Sequence, residues 1–290
     1  MPTTFESFDH GRAHLQGDVV LHYRRAGSGP PVVLLHGWPQ HSLMWHAIAP
    51  VLAERFAVVC PDLRGAGAST IARGGYDKTT MARDVRDLVD QLGLGPVNLA
   101  GYDQGAGVAC AYAREFRDGV RRLVVMEFGL AGFGYEQQMA PRADWTLGSN
   151  WHLALFSVPQ AAEWLCRGRE RELLTWFFWH LSYAGGQVAP EHFEEYARQI
   201  SKPGALRAGI EYYAAVWQDG RDNAVLKDQP IAVPALALGG EASSGPELEQ
   251  IWSAALLNVR TQVVPRAGHW IGDENPAAVA AALSTFFNES

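Results

Sequence analysis

The chain has 290 residues, 48% of them hydrophobic and 19% charged, which suits one large α/β domain with room for an inserted subdomain. A net charge of −7 argues against a nucleic-acid or anionic-membrane surface, since either would need clustered Lys and Arg. The three cysteines, Cys60, Cys110 and Cys166, are odd in number and widely spaced, so they read as reduced core residues, with no disulfide framework and no metal spacing.

Strand-like apolar runs alternate with helical patterns through the first half: VVLHY (19–23), VVLLHG (32–37), FAVVCPD (56–62), VNLAG (97–101) and RRLVVME (121–127). Unbroken stretches such as VVLL and LVVM suit strands covered on both faces, as in a parallel sheet. Between them Met81, Val85, Leu88, Val89 and Leu92 recur at helical spacing, and a second helix is expected from Gln104 to about Phe116. The alternation returns with VPALALGG (233–240), a helix near 246–257, TQVVPRAG (261–268) and a final helix from Pro276. This is a βαβ series, hence a mostly parallel, doubly wound α/β sheet.

From about Glu136 to Val216 the alternation stops, and Trp145, Trp151, Trp164, Trp176, Trp179, Tyr183, Tyr212 and Tyr213 crowd into helical stretches. We expect residues 136–216 to form a helical cap inserted into a core made of 1–135 and 217–290. Most of its aromatics serve an ordinary helical core; others line an apolar substrate cavity. The N-terminal MPTTFESFDHGRAHLQGD shows no export signal, and no apolar run approaches the roughly 18–20 residues of a membrane span. A reducing cytoplasm is the expected compartment, with secretion left open.

Three motifs carry chemistry. Gly101-Tyr102-Asp103-Gln104-Gly105 follows a strand and opens a helix, the small-x-nucleophile-x-small pattern of a nucleophile elbow. The turn projects Asp103 at a helix N-terminus, which favours negative charge. A carboxylate is already ionised and displaces leaving groups at sp³ carbon, giving an alkyl-enzyme ester. His36-Gly37-Trp38-Pro39 follows VVLL, and in such folds the backbone N–H groups of Trp38 and Gln104 form an oxyanion hole. His36 itself reads as structural. Ala267-Gly268-His269-Trp270 follows the last strand, so His269 is the expected general base; His10, His14, His22, His41, His46, His180 and His192 have no such placement. The acid partner of His269 is Glu127 or Glu241. Glu127 directly follows a buried strand, whereas Glu241 lies in the loop GGEASSG, and the reading favours Glu127.

HGWPQ, PDLRGAGAS (61–69), GYDQGAG and AGHW together resemble the epoxide hydrolase and dehalogenase branch of the α/β-hydrolases, over nearly the whole chain. LVVMEFGLAG is similar to the Cif-type subgroup of epoxide hydrolases, in which the acid follows this strand, and so points again to Glu127. The resemblance implies two cap side chains that hydrogen-bond the epoxide oxygen. Asn150-Trp151-His152-Leu153 and Glu211-Tyr212-Tyr213 occupy the matching places, which carries the roles to His152 and Tyr213, with Tyr212 as the alternative. Adjacent helical residues point about 100° apart, so only one tyrosine can face a cavity.

The resemblance thus implies hydrolysis of a small apolar or aryl epoxide by water, with no cofactor, no metal and a possible homodimer. A haloalkane or haloacid dehalogenase with the same Asp–Glu–His machinery is the alternative. Fluoroacetate dehalogenases place arginines directly after the nucleophile and three residues later, where this chain has Gln104 and Gly107. A ligand receptor on the same fold would have no need of the trio Asp103, Glu127 and His269. A serine esterase is disfavoured because the elbow carries no hydroxyl.

Overall fold

The computed structural model describes residues 3–146 and 149–289. Its centre is one eight-stranded sheet: β1 (Asp9–His14), β2 (Val20–Ala26), β3 (Pro31–Leu35), β4 (Ala57–Pro61), β5 (Val97–Tyr102), β6 (Val120–Met126), β7 (Ala235–Gly240) and β8 (Val259–Val264). The strand order is β1-β2-β4-β3-β5-β6-β7-β8. β1 and β2 run antiparallel to their neighbours, and β3 to β8 are parallel. The expected doubly wound sheet is therefore present.

Burial explains which strands the residue pattern reveals. Every residue of β5 and of β7 is buried, as covered parallel strands require. β1 was not anticipated: DHGRAH carries only one buried residue, Ala13, and its place at the sheet edge depends on backbone pairing with β2, which leaves no hydrophobic signature. The helix expected near 246–257 is shorter, a 3₁₀ turn at Gly245–Glu247 followed by Leu248–Trp252.

The Lys78–Gln91 helix starts where the Asp77 carboxylate accepts the Thr80 N–H at 2.8 Å, and it buries Met81, Val85, Leu88 and Val89. Beside it, the Gln104–Glu115 helix is buried along almost its full length between that helix and the sheet. Asp62, in the loop after β4, accepts N–H groups from Ser42 and Ala68 and the His22 ring, each at 2.8–2.9 Å. This ties together the loops that flank the C-terminal strand ends. The cysteines are free and buried, and burial pushes the Cys110 thiol up to about 12.

Between β6 and β7 the described residues form helices and no strand, including Trp151–Phe156, Pro159–Cys166, Glu170–His180, Pro190–Ile200 and Ala205–Ala214. These helices pack over the loops at the C-terminal ends of the strands. Trp38 meets Phe156, Phe177 and Tyr213 edge-on with centroids 5.3–5.6 Å apart, and the Trp270 indole N–H donates to the Phe177 carbonyl at 3.1 Å. No described helix is long and apolar enough to cross a membrane.

Candidate active site

β5 ends in a turn so tight that Asp103 sits at φ 48°, a conformation costly for a residue with a side chain. Neighbouring glycines make the turn feasible. A Cβ on Gly101 would lie 2.2 Å from the Gly105 carbonyl oxygen, and one on Gly105 would lie 2.4 Å from that of His36. The strain places the Asp103 carboxylate at the head of the Gln104–Glu115 helix, where the Trp38 N–H donates to Oδ1 at 2.9 Å. Burial raises the Asp103 pKa; His269 and the N–H groups of Gln104 and Trp38 oppose this without cancelling it.

His269 follows β8 and directs Nε2 toward Asp103 Oδ2, 4.0 Å away. Its Nδ1 lies 2.9 Å from Glu127 Oε2. Burial by itself would lower the His269 pKa, but the hydrogen bond and charge of Glu127, with Asp103 and Glu274, outweigh it and the net shift is upward. Glu127, at φ 54° just past β6, is fixed on both oxygens. The Gly240 N–H donates to Oε1 at 2.6 Å, and the Ser243 hydroxyl donates to Oε2 at 2.7 Å. Glu241 is elsewhere: it is exposed and accepts the Arg266 N–H at 2.8 Å. The ring of His36 is consumed by backbone, with Nε2 accepting the Leu63 N–H at 2.9 Å and Nδ1 donating to the Gly37 carbonyl at 3.0 Å.

Above Asp103 lies a cavity of about 110 Å³ whose walls include Trp38, Phe128, Tyr135, His152, Phe177, Tyr213, His269 and Trp270. It shares Gln138, Asn150, Leu181, Ser243 and Ser244 with a wider polar groove of about 350 Å³ that leads outward. Of the two adjacent tyrosines, Tyr213 faces the cavity. Tyr212 turns away, and its hydroxyl donates to the Arg64 carbonyl. Burial, then the nearby Asp103 charge, holds the Tyr213 phenol well above its usual pKa, so it stays protonated. His152 is edge-on to Phe177 with centroids 4.9 Å apart, and its Nδ1 has no hydrogen-bond partner among the described residues. Burial, reinforced by His269, lowers its pKa to about 3, so its imidazole is neutral at physiological pH.

Tyr135 lines the same cavity and was not anticipated. Burial and then Asp103 raise its pKa, while the Gln104 side chain opposes the shift in both Tyr135 and Tyr213. The Gln104 carboxamide thus lies against two phenols, beyond the backbone role expected of this residue. Tyr135 precedes the aromatic-rich segment by one residue in the expected domain division, and a lone tyrosine in FGYEQQ carries no spacing signal.

No lysine or arginine lines the cavity among the described residues. A Cβ at Gly107 would meet Phe128 at 3.0 Å and the Lys78 side chain at 3.2 Å, so a larger residue at this position would have to push both side chains aside. Lys78 is committed elsewhere, donating to the Tyr212 carbonyl at 2.8 Å and to Asp219 at 3.2 Å.

Known proteins share this architecture. The sequence profile of the alpha/beta hydrolase fold matches residues 30–276. A soluble epoxide hydrolase from Corynebacterium sp. (strain C12) is 35% identical, with 96% of each chain covered. A fluoroacetate dehalogenase from Burkholderia sp. is 31% identical, covering 99% of this chain and 96% of the relative. The crystal structure of wild-type Cfl2 from Burkholderia cenocepacia superposes with a TM-score of 0.92 at 31% identity, over 97% of this chain and 96% of that one. The profile match over most of the chain and the whole-length relatives agree, and the chain belongs to the α/β-hydrolase fold family.

Proposed function

We propose that this protein hydrolyses epoxides to vicinal diols through an ester on Asp103. The observation that carries the reading is that a buried carboxylate at the elbow and two neutral hydrogen-bond donors from the helical segment, Tyr213 and His152, line the same cavity. Residues 136–216 act as the cap that supplies these donors, and Tyr135 joins them from the core side. In the first step Asp103 Oδ2 attacks an epoxide carbon and the ring C–O bond breaks. The oxygen leaves as an alkoxide that takes a proton from the Tyr213 phenol while the His152 N–H donates a hydrogen bond. Neutral His152 is suited to this, because an imidazolium there would form a buried ion pair with Asp103 and weaken the nucleophile.

In the second step His269 Nε2 takes a proton from water, and the hydroxide attacks the ester carbonyl carbon. The negative charge developing on Oδ1 meets the N–H of Trp38, already 2.9 Å away in the resting state, and that of Gln104. Collapse expels the second diol oxygen as an alkoxide, which takes the proton of the newly formed Asp103 carboxylic acid. The proton held by His269 returns through water to the Tyr213 phenolate, so the diol leaves with Asp103, His269 and Tyr213 in their starting states. The small cavity suits an epoxide of few heavy atoms, with longer substituents extending toward the groove.

Single-turnover hydrolysis in ¹⁸O-labelled water, with enzyme in excess, should place label in the Asp103 carboxylate and leave the first diol unlabelled. Label found only in the diol would exclude the ester. Tyr213→Phe should slow ring opening by about 10²-fold or more, the usual loss when a positioned acid is removed. Tyr212→Phe should leave the rate of the chemical step nearly unchanged, because its hydroxyl serves the Arg64 carbonyl. Equal losses in the two variants, measured by rapid-quench kinetics, would overturn the assignment.

The fluoroacetate dehalogenase relative supports a second reading, displacement of halide by the same carboxylate. A haloacid substrate would bring its own carboxylate into a cavity without a lining cation, at a cost of several kcal/mol. The epoxide reading is therefore preferred, and neutral alkyl halides are the dehalogenase substrates worth assaying beside it.

A further inference from the structure

Away from the cavity, three segments distant in the chain meet at the seam between the helical segment and the core. His46 follows the 3₁₀ turn Ser42–Trp45, His192 lies on the Pro190–Ile200 helix, and Asp273 lies on the short Ile271–Glu274 helix. One donor atom from each lies within 4.8 Å of the other two. The two imidazoles meet edge-on with centroids 4.1 Å apart, and the Nδ1 of each is buried without a hydrogen-bond partner among the described residues. Asp273 Oδ2 accepts a hydrogen bond from Gln40 Nε2 at 2.9 Å, which orients the carboxylate and leaves Oδ1 free of any described bond. The Glu6 and Glu191 carboxylates add negative potential at both rings. Nothing in this cluster takes part in the proposed chemistry.

We propose that His46, His192 and Asp273 form a binding site for a divalent transition-metal cation such as Zn²⁺. Two neutral imidazoles and a carboxylate are a borderline donor set that Zn²⁺ accepts, with water as the fourth ligand of a tetrahedron. Tetrahedral bonds near 2.0–2.1 Å put donors about 3.4 Å apart, so the three side chains close in by roughly an ångström on binding. All three are partly exposed, which leaves them that freedom. The alternative, two imidazoles in contact with both Nδ1 atoms unused, leaves buried polar atoms uncompensated beside three carboxylates. Because His192 belongs to the helical segment while His46 and Asp273 belong to the core loops, the bound cation pins one to the other. The Pro190–Ile200 helix is in turn linked to the catalytic histidine loop, since Tyr196 stacks on Phe178 and Phe178 contacts Trp270.

Zn²⁺ titration of the metal-stripped full-length protein, followed by calorimetry, should give one site per chain. Co²⁺ loaded in its place should show the visible absorption of tetrahedral coordination. His192→Gln and Asp273→Asn should each weaken binding at least tenfold, with melting in EDTA confirming that both variants fold. His10→Gln, which removes a different paired imidazole, should bind as the parent does; its Nδ1 contacts His22 Nε2 at 2.9 Å. Zn²⁺ should also raise the melting temperature of the parent but not of His192→Gln, as expected for a ligand held only by the folded state. The proposal fails if stoichiometric binding is absent at about 100 μM metal, far above the range of structural sites. It fails equally if binding survives both ligand substitutions, or if His10→Gln abolishes it. Because the readout is binding and melting, it stands or falls independently of the epoxide reaction.

Discussion

Replacing Asp103 with asparagine should reduce diol formation by roughly 10⁵-fold or more, the scale seen when a covalent nucleophile is removed. The carboxamide nearly preserves the volume and can still accept the Trp38 N–H, so the loss reports nucleophilicity rather than folding. The melting temperature should hold or rise slightly, because burial already disfavours the Asp103 carboxylate and the neutral amide removes that cost. His269→Gln should give a complementary result. The first step needs no base, so the ester should form and persist, seen by mass spectrometry as one stoichiometric adduct on the peptide carrying Asp103. An Asp103→Asn enzyme that turned over substrate at more than about a hundredth of the parent rate would exclude covalent catalysis at this residue.

Glu127→Gln should be the second large loss, about 10⁴-fold in turnover, comparable to replacing the acid of a catalytic triad by its amide. The amide presents the Gly240 N–H, the Ser243 hydroxyl and His269 with a partner that cannot satisfy all three as an acceptor. The pH profile separates this from a packing defect. In the parent, the Glu127 hydrogen bond and charge hold the His269 pKa above its ordinary 6.5 against burial, which acts downward. Turnover needs neutral His269, so activity should fall as pH drops through that raised value. Removing the Glu127 charge leaves burial less opposed, and the acidic limb should move to lower pH. Glu241→Gln should change the rate by less than about twofold and leave the limb in place, since an exposed side chain capping the Arg266 N–H touches neither His269 nor the cavity. A Glu241 effect larger than that of Glu127 would reverse the assignment.

Much of this molecule was legible from residue order. Runs such as VVLL and LVVM announce strands covered on both faces because parallel strands leave no solvated side to alternate with. The elbow is recognisable because its strain admits only small residues around Asp103, and His269 because it directly follows the last strand. These are local constraints: backbone conformation and strand burial leave their mark on immediate neighbours, so they can be read along the chain.

Other features have no such trace. Whether Glu127 or Glu241 meets His269 depends on how β6, β7 and β8 are ordered in the sheet, and only folding places Glu127 Oε2 at 2.9 Å from Nδ1. The choice of Tyr213 over Tyr212 rests on the rotation of one helix against Arg64. Tyr135 enters the cavity from the first position of the short Tyr135–Gln138 helix, too brief to carry a periodic signal, and the Gln104 side chain lies near two phenols separated from it by 31 and 109 residues of sequence. The cluster of His46, His192 and Asp273 spans 227 residues of chain and becomes visible only when the helical segment closes on the core. Sequence alone pointed to Asp103 at the elbow, to His269 after the last strand and to the sheet that presents them, because each is a property of a few consecutive residues. Tertiary structure decided which carboxylate meets His269, which phenols line the cavity, the absence of a lining cation among the described residues and the seam, because each is a meeting of side chains that chain connectivity leaves far apart.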